Sequence, residues 1–245
     1  MKTPYRLKEV LYRVSDPQWV VSHGFRQVTH AYDLVSPSEF SRLYRRIRKI
    51  TMCSNARLRG LHRAVKHVVE QDIRGDIVEC GTARGGSAAL MGLTLKQLSA
   101  SERTLWVFDT FEGLPPPSAD DPDYEFAQFY AGTCLGTIED VTASFRRLGI
   151  SKGTKFVKGL FHETLPATNI ESIAVLHIDG DWYNSVKACL DILYDKVQVG
   201  GVIQIDDYGF WKGARRAVDE FFVSRSIIPN LRRLDYSGRQ FIKSG

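Results

Sequence analysis

The sequence predicts an α/β protein with a doubly wound, mostly parallel sheet that is preceded by helices and ends in an antiparallel hairpin. Short apolar runs alternate with longer amphipathic segments from about residue 76 onward. Two of these runs end in paired carboxylates, at positions 179/181 and 206/207. A chain of 245 residues, of which 43% are hydrophobic and 25% charged, is long enough to bury the core of one such domain.

Two helices are predicted before the sheet, over residues 37–50 and 55–71, because apolar residues recur there at helical spacing. Ser36 and Glu39 form the pattern of a capping box around Pro37 at the start of the first helix. The pattern before that point is weak. We therefore expect a helical extension over residues 1–70 and an α/β domain over residues 71–245.

Five runs are predicted to form buried parallel strands, because they are short, mostly apolar and bounded by glycine, proline or acidic residues. They cover residues 76–80, 104–108, 154–158, 174–178 and 202–205. The helices predicted between them cover residues 87–98, 138–148, 185–197 and 214–224. Two further runs, 231–236 and 239–243, flank Ser237 and Gly238, which is typical of a β-hairpin at the edge of a sheet. The proline-rich segment 113–129 is too polar for a core and is predicted to be a loop or lid over the carboxyl edge.

The composition favours an enzyme domain over a membrane protein or a nucleic-acid-binding protein. No apolar run approaches the roughly 20 residues of a membrane span, and residues 1–30 lack the apolar stretch of a signal peptide, so we expect a cytoplasmic protein. The net charge is +5, but the basic residues between 42 and 49 share a helix with a regular apolar face. A solvated face or a subunit contact is favoured there over a nucleic-acid site. Four single cysteines are expected to be reduced structural thiols: Cys53, Cys80, Cys134 and Cys189.

Four carboxylates follow two of the predicted strands. Asp179 and Asp181 come after one strand, and Asp206 and Asp207 come after the next. Because ligands of open α/β sheets bind outside the carboxyl ends of the strands, these acids are expected to converge. Burying so much like charge is costly unless a cation neutralises it. Oxygen ligands of this kind suit Mg²⁺, Mn²⁺ or Ca²⁺ and not zinc, so the sequence predicts a site for a hard divalent ion.

Residues 77–87 (IVECGTARGGS) have the pattern of a strand, a glycine turn and the start of a helix. The segment lacks the lysine of a phosphate-binding P-loop, and its glycines miss the dinucleotide-binding spacing. Glu79 at the end of the strand would repel a pyrophosphate but would attract the cationic methionyl part of S-adenosylmethionine. Asp109 ends the next strand, where it can accept hydrogen bonds from ribose hydroxyls. These acids favour S-adenosylmethionine as the cofactor.

Four motifs in this order resemble the macrocin O-methyltransferase family. They are residues 79–87 (ECGTARGGS), 108–115 (FDTFEGLP), 177–183 (HIDGDWY) and 205–209 (IDDYG). The resemblance covers about residues 50–243. It implies a Rossmann-like methyltransferase sheet and an enzyme that transfers methyl groups from S-adenosylmethionine to sugar hydroxyls of antibiotics with the help of Mg²⁺. The expected partner is a small-molecule glycoside or sugar, and the expected state is a homodimer or a higher homo-oligomer.

The resemblance also implies roles for individual residues. The metal ligands would be Asp179, Asp206 and Asp207, and the general base would be Asp181. The cofactor contacts would come from Thr51, Met52, Glu79, Cys80, Gly81, Thr82, Ala83, Ser87, Asp109, Thr110, Phe111, Glu112, Gly113, Gly159 and Phe161.

Alternatives remain for several of these residues. Asp181 also suits the N-cap of the following helix. His177 and His162 are rival bases, although a supporting role in the core suits His177, which is flanked by apolar strand residues. Five aromatic residues near the site are expected to form a platform for the substrate or to pack the sheet edge: Trp182, Tyr183, Tyr208, Phe210 and Trp211.

Other enzyme classes share parts of this pattern. A catechol-type small-molecule methyltransferase would use a carboxylate-bound metal in the same way. The pair formed by Asp179 and Asp181 also resembles the D-x-D motif of metal-dependent glycosyltransferases, but that interpretation leaves Glu79 and the second acidic pair unexplained.

Overall fold

The computed structural model describes residues 17–245, without the side chains of residues 17–19, 22 and 23. Residues 1–16 of the predicted helical extension therefore lie outside the described part. Seven strands form one sheet: β1 (Asp76–Cys80), β2 (Leu105–Asp109), β3 (Thr154–Lys158), β4 (Ile173–Ile178), β5 (Val197–Ile205), β6 (Arg232–Arg233) and β7 (Arg239–Ile242).

Helices surround this sheet. Three precede it: α1 (Pro17–Val35), α2 (Glu39–Ile47) and α3 (Asn55–Glu70). The others are α4 (Gly86–Gln97), α5 (Tyr124–Ala127), α6 (Ile138–Leu148), α7 (Phe161–Thr164), α8 (Tyr183–Leu193) and α9 (Lys212–Ser224). None of the helices described within residues 17–245 combines the length and the apolar character needed to cross a membrane.

The strand order is β3-β2-β1-β4-β5-β7-β6. The first five strands are parallel, whereas β7 is antiparallel to both β5 and β6. The order reverses between β1 and β4, and this is the point at which ligands bind in doubly wound sheets. The predicted fold class is confirmed, including the antiparallel pair after residue 230.

Two cores flank the sheet, because successive strand residues point to opposite faces. On β1, Ile77 packs in the core covered by α2, α3, α4 and α6, and Val78 packs in the core covered by α8 and α9. Residues two positions further along share those faces. The side chain of Glu79 therefore lies beneath α3 and α4, whereas that of Cys80 lies on the opposite face with Cys189.

The predicted helical extension over residues 1–70 gave no bounds for helix α1, and the way this helix is attached explains why. Its apolar side chains are exposed, with Phe25 at 70% and Val28 at 68%. The helix is instead held by Asp33, whose fully buried carboxylate accepts hydrogen bonds from Ser41 Oγ at 2.6 Å and Asn55 Nδ2 at 2.7 Å. A helix attached through polar contacts gives no apolar periodicity for sequence analysis to detect.

Helix α2 begins two residues later than predicted. Its N-cap is Ser38, whose Oγ accepts the Ser41 N–H at 3.2 Å. The predicted capping box is wrong, since Ser36 Oγ accepts from the Ser38 N–H at 3.3 Å and Glu39 pairs with Lys66 at 3.0 Å. The chain around Pro37 therefore forms the approach to the helix and not its first turn.

Candidate active site

A row of polar side chains crosses four strands on the face beneath α3. Glu79, His177, Gln204 and Gln240 are register partners on β1, β4, β5 and β7. His177 Nδ1 lies 2.9 Å from Glu79 Oε1, and Gln240 Nε2 donates to Gln204 Oε1 at 3.0 Å. Glu79, His177 and Gln204 are all completely buried. A polar row of this depth is stable only when its members satisfy one another's hydrogen bonds.

The histidine in this row bridges two acids. Its Nε2 lies 3.2 Å from Asp206 Oδ1, on the side opposite Glu79. Burial alone would lower the pKa of His177, but hydrogen bonds and charge attraction from Asp206 and Glu79 raise that pKa well above its usual value. The two neighbouring carboxylates therefore favour the protonated, cationic form of His177. The supporting role that the sequence favoured for His177 fits this position better than that of a base exposed to substrate.

Three carboxylates form a group at the carboxyl ends of β4 and β5. Oxygen atoms of Asp179, Asp181 and Asp207 all lie within 4.8 Å of one another. Burial, followed by repulsion from neighbouring acids, raises the pKa of Asp179 and of Asp181 well above the usual value. The same causes raise the pKa of Asp207 to about 6. Like charges this close are costly to ionise together unless a cation joins them.

Asp206 has a different environment, although it neighbours Asp207 in sequence. Its carboxylate forms an ion pair with Arg57 and accepts hydrogen bonds from Gln204 Nε2 at 3.1 Å and Cys53 Sγ at 3.4 Å. Burial would raise the pKa of Asp206, but Arg57 and His177 hold that pKa well below its usual value. A second compact group of ligand atoms consists of Cys53, Asp179 and Asp206. Asp179 therefore belongs to both groups, and Asp206 and Asp207 lie in different ones.

Asp181 has an unusual backbone conformation. Its φ of +55° lies in the left-handed region, which costs a non-glycine residue about 1–3 kcal/mol and is often found at functional sites. Its carboxylate accepts the indole N–H of Trp211 at 2.7 Å, and its own N–H donates to Asp207 Oδ2 at 3.1 Å. Helix α8 begins at Tyr183 with Trp182 as the N-cap residue, so the alternative of Asp181 as a helix cap is wrong.

The glycine loop follows β1 and is tied to the end of β2. Oδ2 of Asp109 accepts the N–H groups of Thr82 at 2.7 Å and Ala83 at 3.0 Å, while its Oδ1 accepts the Phe111 N–H at 2.8 Å. Burial raises the pKa of Asp109, and these backbone hydrogen bonds oppose that effect. The acid predicted to accept ribose hydroxyls thus also fixes the shape of the loop.

The backbone of Asp179 lies very close to Gly81 in this loop. A Cβ at Gly81 would lie 1.8 Å from the Asp179 carbonyl oxygen. Its φ of +92° is likewise suited to glycine. Three buried oxygens near this loop have no hydrogen-bond partner among the described residues: Thr51 Oγ1, Glu79 Oε2 and Thr82 Oγ1. Unsatisfied buried polar atoms are rare, and here they fit a bound polar cofactor that would supply the missing partners.

A cavity of about 830 Å³ joins the glycine loop to the carboxylates. All four predicted metal and catalytic acids line it: Asp179, Asp181, Asp206 and Asp207. So do eight of the predicted cofactor residues: Met52, Gly81, Ala83, Asp109, Thr110, Gly113, Gly159 and Phe161. The structure thus brings most of the predicted site into one space.

The remaining predicted cofactor residues do not line this cavity: Thr51, Glu79, Cys80, Thr82, Ser87, Phe111 and Glu112. Phe111 is buried in the core, and Glu112 forms an exposed ion pair with Lys158 at 2.7 Å. The rival base His162 does not line the cavity either. Its side chain is 66% exposed and lies beside Glu163.

Sequence analysis missed several residues that line the cavity. Arg57 and Asp235 form an ion pair at 3.1 Å, and Arg26 on α1 donates to the Met52 carbonyl at 3.0 Å. Cys53 contacts an active-site acid, so it is more than the structural thiol that was predicted. No local pattern marks these residues, because contacts between segments far apart in the sequence bring them to the site.

The proline-rich segment 113–129 is anchored beside the cavity. Asp121 is buried and accepts the Tyr183 N–H at 2.7 Å, and the Trp182 indole donates to the Pro115 carbonyl at 2.7 Å. Of the five predicted aromatics, Phe210 and Trp211 line the cavity. Trp182 and Tyr183 are buried instead, which fits the alternative of sheet-edge packing.

Comparisons with known proteins identify the family of the chain. The model of the macrocin O-methyltransferase (TylF) family matches residues 45–243. Demethyldecarbamoylnovobiocin O-methyltransferase of Streptomyces niveus is 35% identical over 192 residues, which cover 77% of this chain and 73% of that protein. The 8-demethyl-8-(2,3-dimethoxy-alpha-L-rhamnosyl)-tetracenomycin-C 4'-O-methyltransferase of Streptomyces olivaceus is 33% identical over 193 residues, with coverage of 77% and 73%.

Among solved structures, the O-methyltransferase NovP superposes with a TM-score of 0.75 at 32% identity, covering 80% of this chain and 83% of that one. The family match spans the whole sheet, the glycine loop and all four active-site acids. The chain therefore belongs to the macrocin O-methyltransferase family and is an S-adenosylmethionine-dependent O-methyltransferase.

Proposed function

We propose that this enzyme uses Mg²⁺ to methylate a hydroxyl of a sugar or of a glycosylated natural product of the antibiotic type. The observation that carries the proposal is the convergence of four carboxylates on the wall of a cavity that also contains the glycine loop. The names of the relatives support it, since both act on antibiotic precursors and one of them methylates a rhamnosyl group.

The cofactor site is proposed around the glycine loop. When bound, S-adenosylmethionine supplies a methyl group made electrophilic by its sulfonium. Oε2 of Glu79 is buried and has no hydrogen-bond partner among the described residues. Although Glu79 does not line the cavity, its negative charge beneath the glycine loop suits the cationic methionyl end. Asp109 holds the loop and lines the cavity, so one carboxylate can shape the site and face the ribose. Gly159 and Phe161 line the cavity after β3, where the adenine side is expected.

The metal site is proposed at Asp179, Asp206 and Asp207, with Asp181 beside them. Their donor set of carboxylate oxygens suits Mg²⁺. Burial, and then repulsion from Asp206, raises the pKa of both Asp179 and Asp207, and a divalent cation would relieve that repulsion. When bound there, Mg²⁺ would lower the pKa of a substrate hydroxyl and fix its orientation.

Asp181 is proposed as the general base. In the transfer, the hydroxyl oxygen attacks the methyl carbon, the carbon–sulfur bond breaks with its electrons going to sulfur, and the hydroxyl proton passes to Asp181. Burial and Asp207 raise the pKa of Asp181, and a carboxylate with a raised pKa is a stronger base. The Trp211 indole donates to Oδ1 at 2.7 Å, so Oδ2 is proposed as the oxygen that takes the proton.

The acceptor site is proposed on the apolar side of the cavity. Phe25, Tyr130, Phe210 and Trp211 line this side, and Trp211 packs edge-on against Tyr130 at 5.1 Å and Phe210 at 4.7 Å. Aromatic walls of this kind suit the apolar faces of sugars and of aglycones. We further propose a cytoplasmic homo-oligomer that acts without nucleic acid or membrane, and sedimentation analysis of the purified protein tests the oligomer.

The decisive experiment is an acceptor screen. The purified enzyme is incubated with S-adenosylmethionine and either deoxysugar glycosides of antibiotic precursors or simple catechols, with Mg²⁺ or with a chelator, and products are analysed by mass spectrometry. Mg²⁺-dependent methylation of a glycoside hydroxyl is expected. Methylation of catechols alone would favour the catechol-type alternative. A nucleotide sugar is the third substrate tested, and its turnover would favour the glycosyltransferase interpretation of the D-x-D pair.

A further inference from the structure

Arg57 occupies a position that the proposed chemistry does not use. It lies in the first turn of α3, lines the cavity, and has a side chain that is only 16% exposed. Its Nη1 pairs with the fully buried carboxylate of Asp206, and its Nε lies 3.1 Å from Asp235 Oδ2. Asp235 is itself held by Ser54 Oγ at 2.5 Å. The guanidinium is therefore fixed in place between two acids.

This pairing affects the lone pairs of a proposed metal ligand. Oδ1 of Asp206 is shared by His177 and Gln204, and Oδ2 is shared by Arg57 and Cys53. All four partners are hydrogen-bond donors or cations, so each oxygen of the Asp206 carboxylate already has two partners. Asp179, Asp181 and Asp207 form a compact group of oxygens without Asp206, which belongs to the second group with Asp179 and Cys53.

We infer that Arg57 is a built-in counter-ion that competes with the divalent metal for Asp206 and thereby sets the metal affinity of the site. The inference rests on the metal site of the proposed function. An arginine cannot be deprotonated in a protein, so its positive charge persists at every physiological pH. Its repulsion of a nearby divalent ion is strengthened by the partly buried setting. When no metal is bound, the positive charge of Arg57 also offsets part of the negative charge of the four acids. A positive charge elsewhere on the surface would lie too far away to do this.

The chain offers a matched control on the same helix. Arg59 pairs with the fully buried carboxylate of Asp33, and its side chain is 27% exposed, yet neither residue lines the cavity. Arg59→Gln thus removes a comparable ion pair without changing the charge at the carboxylates. Arg57→Lys is the second control, because it keeps the positive charge in place.

The test is a titration of the full-length protein with Mn²⁺, followed by electron paramagnetic resonance of the free ion, without cofactor or acceptor. Arg57→Gln is expected to bind Mn²⁺ roughly tenfold more tightly than the parent protein or tighter still, because one positive charge has been removed. Arg57→Lys and Arg59→Gln are expected to remain within about threefold of the parent. In the double variant with Asp206→Asn, the gain should disappear.

Each other outcome has a defined meaning. Unchanged or weaker Mn²⁺ binding by Arg57→Gln, with normal binding by the parent, overturns the inference and leaves the proposed function intact. Absence of binding in both proteins overturns the metal site and the inference together. If Arg57→Gln folds only when Mn²⁺ is present, the ion has replaced the missing counter-ion and the inference is supported. If it remains unfolded with Mn²⁺, Arg57 is structural. A gain that persists without Asp206 shows that Arg57 does not act by competition for that carboxylate.

Discussion

The indole Nε1 of Trp211 donates a 2.7 Å hydrogen bond to Oδ1 of Asp181. Trp211 is buried at the start of α9, whereas Asp181 lies in the turn after β4, so this bond joins two separate elements at the cavity wall. It fixes the carboxylate without supplying a positive charge. A base that is oriented but not neutralised keeps its ability to accept a proton.

Asp181→Asn is expected to lower turnover by about 10²–10⁴, the usual contribution of a positioned base. The amide oxygen can still accept the Trp211 hydrogen bond, so the fold and the affinities for metal and cofactor should be retained. Steady-state kinetics and calorimetry on the same preparation measure both quantities.

Two variants control this result. Trp211→Phe removes the indole donor to the carboxylate and part of the aromatic wall of the proposed acceptor site, so turnover should fall by roughly 10- to 100-fold, as expected for the loss of one hydrogen bond to a charged group. His162→Asn alters an exposed histidine and should have no effect. Near-normal turnover of Asp181→Asn would exclude this residue as the base.

Removal of divalent ions by a chelator is expected to abolish turnover, and Mg²⁺ should restore it, because carboxylate oxygens prefer hard cations. Binding of S-adenosylmethionine should survive chelation, since its proposed contacts lie on the glycine loop. The measurement is turnover against added Mg²⁺, with cofactor affinity determined in parallel. Full activity in excess chelator would contradict the proposed role of the metal.

Asp179→Ala and Asp207→Ala are expected to abolish most activity while leaving the dissociation constant for S-adenosylmethionine within a few fold. The reason is that these acids are proposed to hold the ion that orients the acceptor. Asp219→Ala is a suitable control, because Asp219 is an acid that does not line the cavity. Its carboxylate accepts a hydrogen bond from the Tyr208 hydroxyl. If both active-site variants lost cofactor affinity as well, the acids would be maintaining the fold.

Asp109→Ala is expected to weaken S-adenosylmethionine binding by about 1.5–3 kcal/mol, the range for hydrogen bonds to a charged group. The structure adds a second effect, because the backbone N–H groups of Thr82 and Ala83 lose their acceptor. Calorimetry measures the affinity, and hydrogen exchange of residues 81–84 should become faster. An unchanged affinity in a folded variant would remove Asp109 from the cofactor site.

The parts of the fold that follow from apolar patterning were predictable from the sequence. Strands β1 and β4 are buried on both faces, so they are mostly apolar runs. The acids that follow β4 and β5 reach the same edge because these two strands are parallel. The hairpin was predictable from the turn residues alone. Each of these signals is local in the sequence.

Other features depend on contacts between distant residues. Helix α1 is attached through Asp33 and exposes its apolar side chains, so no periodic pattern announces it. Arg57 is one of many basic residues before the sheet, and only the packing of α3 brings it to Asp206, 149 residues further along the chain. The different environments of Asp206 and Asp207 likewise cannot be predicted from two adjacent aspartates in the sequence.

The buried histidine gives the last prediction. His177 lies between Glu79 and Asp206, and its replacement by glutamine leaves two buried carboxylates without the cation that they share. We expect His177→Gln to lower the free energy of unfolding by about 3–5 kcal/mol, the cost of breaking a buried charge pair. His62→Gln is the matched control, because His62 is also buried, but its side-chain hydrogen bond within the described part of the chain is to the neutral Thr94 hydroxyl at 3.0 Å. Loss of that bond should cost about 0.5–1.5 kcal/mol. Urea unfolding in the presence of a chelator measures both values without a contribution from bound metal. Equal losses for the two variants would mean that His177 is a neutral core residue, and the two acids would then need another source of compensation.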